Sequence, residues 1–222
     1  MNLVEAIRLR KSIRGYKPDA VPKEILRDIM DMAIRSPSGD NAQPWEITVV
    51  VGEVLDRIRE SNVEQLMSGA IPYLGLESKP YEGVYRQRQV DVAIQIFQLM
   101  GIAREDKEKR AEWMQRGLRF FDAPAGIIVS ADSSLHQSHP LIDIGSLLQT
   151  ICLTALDYGL GTCIHDQGIM FPDVVRKIIG TPQSKRLIMC IAIGYPDWDF
   201  PANKLETKRE TVDSVVTWCG FE

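Results

Sequence analysis

A chain of 222 residues with 45% hydrophobic content has room for one substantial core and is short for two. Its formal charge of −4, with both signs mixed, excludes a general nucleic-acid binder, which needs a net basic face; local clusters of cations must serve something small. Cys152, Cys163, Cys190 and Cys219 are far apart and form no CxxC pair, so neither a zinc site nor a thioredoxin motif is supported. Charge at Glu5, Arg8, Arg10 and Lys11 replaces an apolar signal core, and no run of about 18 apolar residues points to a membrane, so a soluble, cytoplasmic protein is expected.

Leu3, Val4 and Ile7 recur at helical spacing behind the cap residue Asn2, with Glu5 three residues on, which predicts a short helix ending near Gly15. A second helix opens at Val21-Pro22, buries Ile25, Leu26, Ile29, Met32 and Ala33, and stops at Ser36-Pro37-Ser38-Gly39. A polar loop then leads through Trp45 into the β-branched run 47–51, the first strand. Residues 53–60 read as a short helix, and 61–88, broken by Gly69, Pro72, Gly75, Pro80 and Gly83, as a lid-like insertion. From Val90 to Ile102 almost no polar face remains, so this helix must be buried on several sides.

The charged run 104–110 reads as a solvated face leading into a helix around 113–118, followed by a second strand at 125–130. Leu141 to Tyr158 forms a long amphipathic helix closed by Gly159. A third strand at 161–164, a short helix at 172–179 capped by Gly180, and a fourth strand at 187–193 complete the domain. Residues 201–222 hold too little apolar content to stand alone and must pack on something, a partner subunit included. No GxGxxG follows a strand, so a Rossmann domain is not indicated.

Arg10-Lys11-Ser12-Ile13-Arg14 packs three cations and a hydroxyl into five residues. Taken alone it reads equally as a helix end, where cations suit the carbonyl dipole. Three further segments change its meaning: Ser36-Pro37-Ser38-Gly39-Asp40-Asn41-Ala42-Gln43-Pro44-Trp45, Phe121-Asp122-Ala123-Pro124 before a strand, and Ile193-Gly194-Tyr195-Pro196 followed by Thr207-Lys208-Arg209. In this order, and over essentially the full length, the set resembles the FMN-dependent nitroreductase family, in its nitrobenzoate-reductase-like branch.

That resemblance implies an α+β fold with a mixed, mostly antiparallel sheet of about four strands flanked by helices. It implies an intertwined homodimer with FMN at the interface, NADH or NADPH as reductant and a small aromatic acceptor. The whole chain, 1–222, would be one domain, with the lid at 61–88 and the 201–222 extension packing on the partner. The family pattern brings Arg10 and Arg209 together on the FMN phosphate, with Lys11 and Lys208 adding donors and Ser12 serving the phosphate or ribityl end. Arg14 falls where a cation faces the N1 and C2 edge of the flavin, so it would stabilise the reduced ring.

Pro37, Ser38, Gly39, Asn41 and Gln43 would approach the flavin from the other subunit. Asp166 and Gln167 would offer main-chain contacts near N5, although Ile164-His165-Asp166-Gln167-Gly168 departs from the commoner family wording. His165 reads as a pocket-lining or surface histidine in preference to a metal ligand. In the lid, Tyr81, Tyr85, Arg86 and Arg88 could stack on a flat ring and pair with an acidic substituent. The flavin carries the chemistry, so no catalytic side chain is obligatory. Two alternatives stay open: a reductive dehalogenase of the iodotyrosine type, gripping its substrate with Glu77, Lys79 and Tyr81, and a non-enzymatic FMN-binding protein.

Overall fold

The structure, a computed structural model, describes residues 1–73, 80–135 and 138–221, apart from the side chain of His139. Helices α1 (Leu3–Leu9) and α2 (Lys23–Ala33) precede strand β1 (Glu46–Val51). Then come α3 (Gly52–Met67), α4 (Gly83–Leu99), α5 (Lys107–Leu118), β2 (Ala125–Asp132) and α6 (His139–Asp157). The chain continues with β3 (Gly161–His165), α7 (Pro172–Ile179), β4 (Lys185–Gly194) and a short α8 (Val212–Val215).

The four strands lie in the order β1-β2-β4-β3, and each neighbouring pair is antiparallel. The expected mixed character rests on one feature outside the strands, a parallel bridge from Ser12 to Thr162. Alternation along β2 and β4 sends Ile127, Val129, Ile191 and Ile193 to one face, against α2 and α6. Ile128, Cys190 and Ala192 go to the other, against α3, α7 and Phe120. Helix α6 is, among the described residues, the one helix long and apolar enough by composition to cross a membrane. Ile144, Leu147, Ile151 and Ala155 explain that composition, because they are buried on the sheet.

Several expected boundaries move. α1 ends at Leu9 instead of near Gly15. Ile13 N–H donates to Thr162 O at 2.9 Å, so the open edge of β3 captures residues 12–13 in extended form. α3 runs on to Met67, well past residue 60, and fully buried Asn62 ties it to Leu118 O and Gly168 O. α4 starts at Gly83 and not at Val90, so the 61–88 segment is divided between two helices and a connection. Residues 74–79 of that connection, with Gly75, Glu77 and Lys79, lie outside the described residues, as does His136.

The helix expected to be buried on several sides is not buried within one chain. Of α4 only Ile96 is buried, while Val84, Tyr85 and Ile94 face outward. The tail beyond Leu205 is exposed throughout the described residues, and it passes α4 where Arg88 Nη2 meets Glu210 Oε1 at 2.7 Å.

Candidate active site

Arg10 caps the C-terminus of α1, its N–H donating to Ala6 O at 2.9 Å, and from Lys11 the segment runs on as an extended strap laid on the edge of β3. Its backbone is held at successive peptide groups. Tyr16 Oη shares its one proton between Ile13 O at 2.8 Å and Ala192 O at 3.1 Å, and Asn203 Oδ1 accepts from Arg14 N–H at 2.7 Å. Asn203 Nδ2 donates to Gly15 O at 2.7 Å, and Arg116 Nη2 donates to Arg14 O at 3.2 Å. Gly15 must be glycine because a Cβ there would overlap the ring of Phe200. A strap fixed in this way presents its side chains from a rigid base.

Those side chains are charged and unpaired. Among the described residues, Arg10 and Lys11 make no hydrogen bond or ion pair, and Arg14 reaches only Ser12 O, at 3.5 Å. Five other arginines do meet a carboxylate: Arg59 with Asp56, Arg88 with Glu210, Arg116 and Arg119 with Asp122, and Arg176 with Asp173. Beneath the strap burial pushes the Cys163 thiol up, with Arg14 and Ser12 opposing, and raises Cys152 to about 11. Both thiols therefore stay neutral at physiological pH. The strap thus offers unneutralised cations and the Ser12 hydroxyl, a donor set suited to a phosphate.

Lys208 and Arg209 lie on the exposed tail. Arg209 donates only to Thr207 and to Lys208 O of that tail, so nothing within one chain pairs it with Arg10 among the described residues. The 36–43 loop is seated on α6, through Ser36 Oγ to Thr150 Oγ1 at 2.8 Å and Gly39 N–H to Asp143 Oδ1 at 3.2 Å. Asp40, Asn41 and Gln43 adopt positive φ of 51°, 57° and 46°, conformations that non-glycine residues rarely hold. Ser38 Oγ accepts from Gln43 N–H at 3.0 Å and fixes that curl. Pro37, Gly39, Asn41 and Gln43 are exposed, and the loop makes no hydrogen bond to residues 10–14 of its own chain among the described residues. Beside it a cleft of about 430 Å³ is lined by Gly39, Asp40, Pro44, Leu135, Ile142 and Asp143.

Asp166 is exposed after β3, and Gln167 opens a tight turn at 167–169. His165 is neither on the surface nor in an open pocket. Its ring is buried, 5.1 Å from Phe120 and 5.2 Å from Phe121 in edge contacts, and 3.5 Å from Cys190 Sγ. Burial holds its pKa down at about 3, with Arg14 adding to the effect, so the ring is neutral. Tyr81, Tyr85, Arg86 and Arg88 are exposed at the start of α4, and Arg88 lies 5.7 Å over the Tyr85 ring while paired with Glu210. Of the dehalogenase grip, Glu77 and Lys79 are outside the described residues and Tyr81 is exposed.

Asn203, Arg116, Asn62 and Tyr16 hold the site together and were not legible as site residues. The one available signal was Gly117 inside a helix, which marks a close approach; there the Gln167 side chain occupies the space of a Cβ.

Among known proteins, the chain is 30% identical over 217 residues to 4-nitrobenzoate reductase of Nocardioides sp. (strain LMS-CY), covering 96% of this chain and 87% of that protein. It superposes with a TM-score of 0.94 and 28% identity, over the whole of both chains, on the FMN and NADPH-dependent nitroreductase NfnB from Sphigopyxis sp. strain HMH. The FMN-dependent nitroreductase NfnB from Mycobacterium smegmatis in complex with NADPH gives 0.91 at 26% identity, over 98% of this chain and all of that one. The profile of the nitroreductase family matches residues 7–195, and the chain belongs to that family.

Proposed function

We propose that the protein is an FMN-dependent oxidoreductase that uses NADH or NADPH to reduce small nitroaromatic acceptors. The observation that carries this reading is the strap: Arg10, Lys11 and Arg14 with no carboxylate partner among the described residues, on a backbone held at Ile13, Arg14 and Gly15. Arg10, Lys11 and Ser12 hold the FMN phosphate and ribityl end, completed by Lys208 and Arg209. Arg14 sits beside the ring edge where negative charge gathers on reduction. FMN, when bound, accepts a hydride from the nicotinamide and passes two electrons to the acceptor. The reductant leaves before the acceptor enters the same cleft. A nitro group takes two electrons and two protons to become nitroso and water, and two more of each to become the hydroxylamine.

We place FMN at the interface of a homodimer, where Pro37, Ser38, Gly39, Asn41 and Gln43 of one subunit close over the cofactor held by the other. The exposed apolar face of α4 and the exposed tail support this arrangement. Main-chain groups of Asp166 and Gln167 border the reacting edge. Tyr81, Tyr85, Arg86 and Arg88 border the acceptor, so an aromatic carboxylate such as 4-nitrobenzoate suits the site. Four free cysteines, three of them buried, fit a reducing compartment, and we place the enzyme in the cytoplasm.

The purified protein should be yellow, and NADH or NADPH should bleach it without oxygen, with 4-nitrobenzoate restoring the colour. Colourless protein that takes up no added FMN would refute the reading.

A further inference from the structure

The residues expected at the two sides of the reacting ring, Arg14 and 166–168, are joined through one unusual turn. Phe120, Phe121 and Asp122 adopt φ of 56°, 54° and 60°, three left-handed non-glycine residues in succession. Each costs on the order of 1 kcal/mol or more, so the turn persists only where its surroundings dictate it. Arg59 supplies part of the frame by donating to Arg119 O at 2.9 Å and to Ala123 O. Arg119 Nε pairs with Asp122 Oδ1 at 2.9 Å. On its inner side Phe120 packs where Gly168 would carry a Cβ, 2.5 Å from the ring, and Asn62 bridges Leu118 O to Gly168 O.

Arg116 joins this turn to Arg14. Its Nη2 donates to Arg14 O at 3.2 Å and to Phe121 O at 3.3 Å, and its Nη1 meets Asp122 Oδ2 at 2.9 Å. The guanidinium lies 4.7 Å over the Phe200 ring, and the side chain is only 19% exposed. Phe200 in turn fills the space beside Gly15. The remaining peptide contacts of Arg14 come from Asn203, so the Arg14 carbonyl has Arg116 as its donor.

We propose that Arg116 is a positioning residue for the reduction: it fixes the Arg14 peptide against the 120–122 turn and so sets where the Arg14 guanidinium meets the flavin. The proposal rests on the reading of Arg14 as the cation at the ring edge. Coulomb energy between close charges varies steeply with separation in a partly desolvated site, so a shift of a few tenths of an ångström at Arg14 changes how well the reduced ring is stabilised. Among the described residues Arg116 makes no hydrogen bond or ion pair with Arg10, Lys11 or Ser12, and Ile13 and Gly15 keep Thr162 and Asn203 as partners without it, so FMN affinity should be nearly independent of it. A lysine cannot replace it, because a point charge cannot serve Arg14 O, Phe121 O and Asp122 together as the planar fork does.

The test measures the flavin midpoint potential, FMN affinity and NADH-driven reduction rate in Arg116→Lys, Arg116→Met and each combined with Arg14→Met. Positioning predicts a more negative potential in both single variants and reduction slowed about tenfold. FMN affinity should change by less than about threefold, and Arg116→Met should shift nothing further in the Arg14→Met background. An unchanged potential in Arg116→Lys, or a shift by Arg116→Met that survives loss of Arg14, overturns the proposal, since the latter means direct action of the charge. Should Arg116→Met fail to fold, Asp122→Asn removes the ion pair that ties the same guanidinium to the turn and leaves Phe121 O as its one contact there. Loss of a negative charge alone raises the potential, so a fall supports displacement of Arg14 and a rise overturns it. Wild-type protein that binds no FMN marks failure of the functional reading itself, a result distinct from each of these.

Discussion

Among the described residues Arg10 and Lys11 stand out because each is a cation with no carboxylate to answer it, on a strap whose backbone is held at Ile13, Arg14 and Gly15. Charge-assisted hydrogen bonds to a phosphate contribute about 1.5–3 kcal/mol each, so Arg209→Ala should weaken FMN binding roughly 10- to 100-fold by titration of the apoprotein. Arg104→Ala, in an exposed stretch, should leave it unchanged; equal retention in the two variants sinks the phosphate assignment. His165 makes a separate prediction. Its folded pKa, about 3, lies below the ordinary value of 6.5, so the unfolded chain binds the extra proton between those limits. Stability is therefore intact above about pH 6.5 and declines as the pH falls towards 3. From pH 7 to pH 5 the wild type should lose about 2 kcal/mol more than His165→Leu in urea unfolding, and identical losses would show that the ring is protonated in the fold. The cation cluster was readable in the sequence because charge declares itself by residue type. Asn203 and Arg116 were not, because a carboxamide 188 residues from Gly15 becomes a clamp only once the chain has folded back.

At the level of elements, hydrophobic period gave α2, α6, α7 and the four strands to within a few residues, since each turns a regular stripe to a core. It failed where tertiary contact decides the boundary: the edge of β3 unwinds what would have continued α1, and buried Asn62 extends α3. The 166–168 segment gives a matched pair of glycine tests. At Gly168 an added Cβ meets the Phe120 ring at 2.5 Å and Cys190 Sγ at 3.0 Å, both fixed in the core. Gly168→Ala should cost about 1–3 kcal/mol in thermal unfolding of the apoprotein. At Gly117 the obstacle is the end of the Gln167 side chain, which can swing away, while alanine raises helix propensity by up to about 1 kcal/mol. Gly117→Ala should hold stability near the wild type and, since only the Gln167 side chain must swing, leave hydride transfer near the wild-type rate. A strong loss of turnover at unchanged stability would give the Gln167 side chain itself a part in the site.

The molecule as a whole exposes more surface than a compact single chain of its mass. At 25.0 kDa a compact monomer has about 10,200 Å² accessible, whereas this chain shows 13,921 Å². The excess, roughly 3,700 Å² per chain and so about 7,400 Å² for a pair, exceeds the roughly 2,000–5,000 Å² that most obligate interfaces hide in total. Its apolar part includes Leu3, Val4, Ile7 and Leu9 on α1, Val84, Tyr85 and Ile94 on α4, and Val212, Val215, Trp218 and Phe221 along the tail. Half of this was foreseen from sequence, where 90–102 carries almost no polar face. Periodicity reports that a face is buried and never by whom, so a covering partner was expected only from the family resemblance. The proposed homodimer uses the tail cations Lys208 and Arg209 and the 36–43 loop to complete the cofactor site, so dimer formation and cofactor binding should rise and fall together. Ile94→Glu, which puts a charge into the proposed interface without touching residues 10–14, should move the protein from about twice 25.0 kDa to a monomer in sedimentation and release FMN with it. A monomer that keeps its FMN would place the whole cofactor site within one chain, and a dimer that survives the charge would move the interface off α4.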